Sequence, residues 1–104
     1  MHYIFEVVAK ADYSIEQYAS AWLAASELIQ QADGARGTRL HRCLADPKRA
    51  LAIATWDSKA HRDAMDASIT DEIQQIIATQ SEYVEIRLIG EFAAADWEVL
   101  PVAQ

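Results

Sequence analysis

Arg39, His41 and Arg87 lie on two predicted strands and are the side chains in this sequence best suited to acid–base chemistry. An unperturbed imidazole has a pKa of about 6.5, so His41 could accept a phenolic proton near neutral pH. The two guanidinium groups could stabilise the anion that forms. The alternatives are a hydrogen-bonded, half-buried histidine and, for the arginines, ion pairs with Glu6 and Glu85 across the sheet.

Trp56 closes another predicted strand and could stack on an aromatic ligand, or else form a cavity wall or a dimer core. Ala52 and Ala54 precede it at alternate positions, and their small side chains would leave space above the sheet. Glu6 and Tyr83 lie on two further predicted strands, although Tyr83 could point to either face. We therefore take Trp56, Glu6 and Tyr83 as candidate substrate-binding residues.

Other catalytic and binding patterns are missing from the sequence. There is no glycine-rich phosphate loop, no Ser/His/Asp constellation and no cysteine pair, and the three histidines lack metal-ligand spacing, which predicts no metal site. The single Cys43 excludes an internal disulfide and suits a reducing compartment. Sixteen acidic against nine basic residues give a net charge of −7, which argues against nucleic acid. No apolar run reaches the roughly 18 residues that span a bilayer, so we expect a cytoplasmic protein that does not bind membranes.

The elements that must position these residues are predicted from periodicity and capping signals. Ser14 with Gln17 forms a capping box, Gly34 and Gly37 break the chain after the first helix, and Asp46-Pro47 begins a tight turn. Strands are predicted over 3–9, 38–45, 50–56 and 83–92, with helices from 15 to near 32, over 59–67 and from Thr70. The order β-α-β-β-α-β predicts an α+β fold, a ferredoxin-like sandwich in one domain over 1–104.

Such a sheet has one face against the helices and one face away from them. The set predicted to meet the helices is aliphatic: Leu40, Leu44, Leu51, Ile53, Val84, Ile86 and Leu88. The opposite set mixes charged, small and aromatic side chains: Arg39, His41, Cys43, Ala52, Ala54, Trp56, Glu85, Arg87 and Ile89. The first strand's register stays open between Ile4, Glu6 and Val8 and the register that includes Phe5 and Val7. We expect two copies to pack by the second face and enclose a pocket lined by Trp56 and the arginines, because an exposed patch of this kind is rare in monomers.

The stretch Leu51-Ala-Ile-Ala-Thr-Trp56-Asp-Ser58-Lys-Ala-His61 resembles the corresponding stretch of the antibiotic biosynthesis monooxygenase (ABM) family. In that family a strand ends in Trp and is followed by a polar residue, Ser and an amphipathic helix. The Gly37 strand, the Asp46-Pro47 hairpin and the apolar C-terminal segment over 93–104 match the same layout. The resemblance implies a dimeric α+β barrel in which the C-terminal extension often crosses to the partner.

The resemblance also implies a function. Members include cofactor-free oxygenases of polyphenolic or quinol substrates, haem-degrading enzymes and proteins without assigned activity. This sequence has no Asn, a residue that both enzymatic branches use near the substrate, and Met65 stands where the haem branch has Trp. No His follows His61 to serve as the haem ligand, so haem degradation is disfavoured and Met65 becomes a fourth candidate substrate contact.

Two functional hypotheses follow. The first is a homodimeric monooxygenase that needs neither metal nor flavin and acts on a small aromatic or quinol-type molecule in a cavity between sheet and helices. Here His41 would be the base, and Arg39 and Arg87 would stabilise negative charge. The alternative is a non-catalytic dimer of the same fold that binds a small molecule or serves a larger enzyme; isomerase or lyase chemistry is a further option.

Overall fold

A computed structural model describes residues 1–102 of the chain. The described elements follow the order that the sequence predicts, and the helical region between the last two strands consists of two separate helices. The elements are β1 (His2–Ala9), α1 (Ile15–Ile29), β2 (Ala35–Arg42), β3 (Arg49–Trp56), α2 (Lys59–Ala67), α3 (Asp71–Tyr83) and β4 (Val84–Phe92). The predicted α+β, ferredoxin-like fold is confirmed.

The four strands form one antiparallel sheet in the order β2-β3-β1-β4. The first strand of the chain is therefore central, and the last strand, β4, lies at an edge. α1 packs along α3 and contacts β1 and β2, while α3 also contacts β4 and α2 contacts β3. We call the helix-covered side of the sheet the inner face and the other side the outer face.

Local capping chemistry fixes where the helices begin. The Ser14 hydroxyl accepts the Gln17 backbone N–H, and the Gln17 side chain accepts the Ser14 N–H at 2.8 Å, which completes the predicted capping box. Ser58 and Thr70 cap α2 and α3 in the same way, through the backbone N–H groups of His61 and Ile73. Each cap provides an acceptor for a backbone donor that has no partner within its own helix.

Gly34 joins the end of α1 to β2 in a conformation that few other residues adopt. Its φ is +83°, and a Cβ placed there would lie 2.4 Å from Cγ of His61. The Gly34 carbonyl accepts the Asp57 backbone N–H at 2.8 Å. Gly37 also has a positive φ, but it does not interrupt β2, because a register shift between Ala35 and Thr38 absorbs it. β2 consequently starts three residues earlier than predicted.

The two faces of β3 are the reverse of the prediction. Ala50, Ala52 and Trp56 are buried, whereas Leu51 and Ile53 retain part of their exposure. Residues directly opposite each other in an antiparallel pair share a face, and Ala52 lies opposite both Phe5 and Leu40. The prediction that Leu51 and Ile53 meet the helices is wrong, as is the outward placement of Ala52, Ala54 and Trp56.

Side-chain volume explains this reversal. β1 turns Phe5 and Val7 toward the helices, and α1 adds Tyr18, which is only 1% exposed. Close packing leaves little room beneath such large groups, so β3, the strand between β1 and β2, presents alanines there.

The predictions for the other aliphatic residues are right in part. Leu40 and Val84 do pack with the core. Ile86 and Leu88 lie in register with Val7 and Phe5 but stay 49% and 56% exposed on the edge strand, and Leu44 lies outside β2, fully exposed.

Candidate ligand cavity between sheet and helices

A cavity of about 220 Å³ lies between the inner face and the three helices. An apolar cavity of about 150 Å³ is enough to hold a benzene ring, so this one has room for a somewhat larger aromatic molecule. Its aromatic lining consists of Tyr3, Phe5, Tyr18, Trp22 and Trp56, and its aliphatic and thioether lining of Ala25, Ile29, Ala54, Met65, Ile69, Ile77 and Ile86. Its polar lining consists of Ser26, Gln30, Thr38, Arg62, Asp66 and Gln80.

The floor of the cavity exists because β3 carries a small residue at its centre. Ala54 lies opposite Tyr3 on one side and Thr38 on the other, and Trp56 follows on the same face. Four side chains of α1, at helical spacing from Tyr18 to Ile29, form the opposite wall with Ala25. The cavity therefore exists because Ala54 is small, while the larger side chains around it keep α1 away from the strand.

Arg62 is the cation of the cavity lining, and its charge is already balanced. The guanidinium carbon lies 3.7 Å from the Tyr3 ring centroid, a cation–π contact. Its Nη1 lies 3.5 Å from Asp66 Oδ2 and 3.8 Å from Glu91 Oε1, and the side chain is only 15% exposed. Lys59 holds the same Glu91 at 2.9 Å. These contacts tie α2 to the end of β4 and leave the cavity close to neutral.

The polar groups deepest in the lining are uncharged. Tyr18 is 1% exposed, and burial raises the pKa of its hydroxyl, so the phenol stays protonated at neutral pH. Gln80 is 5% exposed and Trp56 is 3% exposed. Gln30 is fixed in place, because its Oε1 accepts the Gly37 backbone N–H at 2.8 Å. The described lining thus combines aromatic surface with a few neutral hydrogen-bonding groups and the Arg62–Asp66 ion pair, a composition typical of a small-molecule site.

The predicted catalytic residues lie on the outer face, away from the cavity. Across the sheet, Leu51 pairs with His41 on one side and with Glu6 on the other. Glu6 in turn pairs with Arg87, so all four residues share that face. Arg39 joins them opposite Ile53. The prediction of one pocket lined by Trp56 and the arginines is wrong for a single chain, because the sheet separates the two sets.

The outer face carries its own ion cluster. The Glu6 carboxylate, 14% exposed, lies 2.9 Å from Nη2 of Arg49 and 3.5 Å from Nη2 of Arg87. The hydrogen bond from Arg49 is the main cause that lowers the pKa of Glu6. The folded chain therefore contains the ion pair between Arg87 and Glu6 that was the alternative to a catalytic role for Arg87. Arg39 and His41 are solvent-exposed.

The four predicted substrate contacts are divided between different places. Trp56 and Met65 line the cavity, whereas Glu6 lies on the outer face. Tyr83 is the last residue of α3 rather than the first of β4, and it packs edge-on against Tyr13 with ring centroids 5.1 Å apart, outside the cavity lining. The binding roles of all four stay predictions.

Sequence reasoning missed much of the lining. The sequence-based candidates include none of four lining residues: Tyr18, Trp22, Arg62 and Gln80. A signal for Gln80 was present, because it continues the spacing of Ile73, Ile76 and Ile77 along the apolar stripe of α3. A polar residue at a position where the helix is otherwise apolar indicates either a buried hydrogen bond or a ligand contact.

The described part of the chain has neither a metal-binding cluster nor a membrane-spanning helix. In residues 1–102, no three side chains among the His, Cys, Asp and Glu residues are grouped as a metal site requires. Over the same range, every helix is too short or too polar to cross a bilayer.

No protein-family model matches the chain, and no curated protein matches it. Several solved structures do match it. SnoaB from Streptomyces nogalater, a cofactor-independent oxygenase, superposes with a TM-score of 0.71 at 10% identity, covering 92% of this chain and 96% of SnoaB. A candidate antibiotic biosynthesis monooxygenase from Nitrosomonas europaea gives 0.67 at 15% identity, covering 85% and 86%. Another from Deinococcus radiodurans gives 0.63 at 15% identity, covering 95% and 100%. At these identities the likeness is one of fold, and the fold of this chain is that of the ABM-like oxygenases.

Proposed function

We propose that this protein is a cofactor-independent monooxygenase that acts on a small phenolic or quinol-type aromatic molecule bound in the cavity. The observation that carries the proposal is the cavity itself, because five aromatic side chains line a nearly neutral space in a fold shared with a cofactor-independent oxygenase. Fold alone does not fix function, so the chemistry of the lining residues decides what the cavity can do.

In such a reaction the aromatic substrate supplies the electrons. A phenol and O₂ give a quinone and water: one oxygen atom enters the ring carbon and the other leaves as water. The first requirement is removal of the phenolic proton, because the electron-rich phenolate is the form that reduces O₂. The second is a site that excludes bulk water, which strengthens the electrostatic interactions with the developing anion.

The described cavity lining offers one carboxylate and one guanidinium for these tasks. Asp66 is exposed at its outer side and sits beside Arg62, so it can accept a proton and pass it to solvent. Arg62 would then stabilise the phenolate. The sequence-based assignment of base and cations to His41, Arg39 and Arg87 instead requires a reaction at the outer face.

Labelled oxygen tests the proposal and separates the two assignments. Incubation of metal-free protein with naphthols and dihydroxynaphthalenes under ¹⁸O₂ should place one ¹⁸O atom in the quinone product, whereas autoxidation of a dihydroxynaphthalene would yield peroxide and no label. Asp66→Asn should slow incorporation by about 10²-fold, the lower end for loss of a general base. His41→Ala should leave it unchanged, since that imidazole lies on the opposite face. Loss of incorporation in His41→Ala with retention in Asp66→Asn would place the chemistry on the outer face.

A non-catalytic binding protein is the second candidate, and the balanced charge of Arg62 favours it. A guanidinium engaged by Tyr3, Asp66 and Glu91 gives less stabilisation to an anion than a free one would. Stoichiometric binding of naphthols without any ¹⁸O incorporation would support this function and exclude the first.

We also propose that the working form is a homodimer joined through the outer face. Ile4, Val8, Leu51 and Ile53 lie on that face without helices to cover them. The segment after β4 adds apolar groups that do not pack on their own chain, with Trp97 91% and Val99 97% exposed. Both features are typical of surfaces buried by a second subunit.

Sedimentation velocity tests the assembly. The unmodified protein should sediment as a dimer at micromolar concentration, and Ile53→Lys should yield monomers by placing a charge in the apolar centre of the outer face. Leu23→Lys is the matched control, because Leu23 is already 53% exposed on α1, away from that face. A monomeric unmodified protein would refute the dimer.

A further inference from the structure

Three buried side chains of the cavity have hydrogen-bonding groups that the described chain does not use. They are the Tyr18 hydroxyl, the Trp56 indole N–H and the Gln80 amide, in residues that are 95% or more buried. Over residues 1–102, none of these three groups makes a side-chain hydrogen bond. Every side-chain nitrogen or oxygen in that range that has no accessible surface does have a partner. The polar atoms of the three residues therefore keep some accessible surface. All three residues line the cavity, so a ligand bound there would lie beside these side chains.

This arrangement is unusual for a folded interior. Most buried polar groups have a hydrogen-bond partner, and an unsatisfied one costs free energy. Leu or Met at position 80 and Phe at position 18 would fill similar volumes without that cost. The three groups come from β3, α1 and α3 and meet at one cavity, so a ligand that bonds to them would relieve the cost at all three elements at once.

The groups also define what the ligand presents to them. Together they offer four hydrogens for donation, one from the indole, one from the phenol and two from the amide, against acceptor sites on the phenol and amide oxygens. A ligand oxygen that accepts is therefore favoured. All three side chains are neutral, and the charge of Arg62 is largely offset by Asp66 and Glu91, so a ligand carboxylate at these three groups would be desolvated with little compensation.

We propose that Tyr18, Trp56 and Gln80 form a polar anchor that binds an uncharged oxygen, a phenolic hydroxyl or a quinone carbonyl, of an aromatic ligand. This inference rests on the proposed function, which requires a small aromatic molecule in the same cavity. The inference adds which residues hold the ligand oxygen, and it predicts that aromatic carboxylates and plain hydrocarbons bind more weakly than an uncharged phenol.

Equilibrium dialysis with three matched probes, 1-naphthol, naphthalene and 1-naphthoate, tests the anchor in the unmodified protein. 1-Naphthol should bind at least about tenfold more tightly than naphthalene, the factor that about 1.4 kcal/mol of hydrogen bonding provides. 1-Naphthoate should bind more weakly than 1-naphthol. Failure of all three probes to bind would refute the proposed function, whereas equal binding of 1-naphthol and naphthalene would refute the anchor alone.

Two variants locate the effect. Tyr18→Phe and Gln80→Leu should each bring the affinity ratio of 1-naphthol to naphthalene closer to one while leaving naphthalene binding in place. Gln75→Leu, on the exposed side of α3, is the matched control and should keep the ratio. The ratio is measured within each variant, so a general loss of stability does not alter the result.

Both cavity variants should also melt at or above the melting temperature of the unmodified protein, because neither hydrogen-bonding group has a protein partner to lose. A large drop in melting temperature, or an unchanged affinity ratio in both variants, would overturn the proposal.

Discussion

Ala52 and Ala54 are neighbours on the inner face of β3, yet only one of them borders empty space. Ala52 is 0% exposed beneath Phe5 and Leu40, whereas Ala54 forms the cavity floor. Replacing each by Leu adds the same three carbon atoms to the same strand and face. The two variants should therefore differ in sign, because one side chain enters a cavity of about 220 Å³ and the other enters packed protein.

The magnitudes follow from burial and packing. At Ala54, three added carbons at about 0.8 kcal/mol each, less about 1 kcal/mol of side-chain entropy, stabilise the fold by about 1 kcal/mol. At Ala52, overpacking costs about 1–3 kcal/mol. The midpoints of thermal unfolding should differ by roughly 8–20 °C for a chain of this size.

Thermal unfolding followed by circular dichroism measures the stability difference, and dialysis with 1-naphthol measures the effect on the cavity. Ala54→Leu should bind 1-naphthol at least about tenfold more weakly while it stays folded, because its side chain occupies the space of the ring. Equal destabilisation by the two substitutions, or normal naphthol binding by Ala54→Leu, would refute the assignment of the cavity to this part of the inner face.

Further outcomes follow from the connections and from the outer face. Gly34→Ala should destabilise the fold by more than about 1 kcal/mol, because φ is +83° and the new Cβ meets the His61 ring. Gly37→Ala, with φ +100° but nothing nearer than 3.6 Å, should cost less in the same urea titration; the reverse order would contradict the contact with His61. Glu6 has a lowered pKa in the folded chain, so its contribution to stability is present above the ordinary value of 4.5 and is lost as the pH falls through the folded value. Urea unfolding should accordingly show the unmodified protein more stable than Glu6→Gln at pH 7 and the gap closing toward pH 3; a gap that widens in acid would contradict the ion cluster with Arg49.

The elements with local signals were predicted well from sequence. Ser14 with Gln17 and Asp46 at the hairpin act through partners two or three residues away, so their chemistry is visible in a short window. The Lys48 backbone N–H, for example, bonds to the Asp46 carboxylate at 2.9 Å in the tight turn. The β-α-β-β-α-β order follows from these signals and from the periodicity between them.

The orientation of β3 could not be predicted in the same way. Leu51 and Ile53 alternate with Ala52 and Ala54, and hydrophobicity alone assigns the larger pair to the core. The choice is made by volume contributed from elsewhere, chiefly Phe5 and Tyr18, which are distant in sequence. A shift of one residue moves every side chain of a strand to the other face, so this single error also moved Trp56 away from the cavity it lines.

The position of His41 shows the limit for site prediction. Its residue type suits a general base, and its placement away from the helices was predicted correctly, but Trp56, which was expected beside it, lies on the other face of the sheet. Chemistry-bearing residues can be named from sequence, whereas their convergence depends on long-range register. Gln80 is the opposite case, since its place on the apolar stripe of α3 was visible but had no motif to draw attention to it.

The central claim is that the aromatic ligand lies between the inner face and the helices. Intermolecular nuclear Overhauser effects between the ring protons of bound 1-naphthol and the protein's methyl groups test it most directly. Contacts to Met65, Ile69 and Ile77, which line the cavity, are the expected result. Contacts to Leu51 and Ile53 on the outer face instead would contradict the claim.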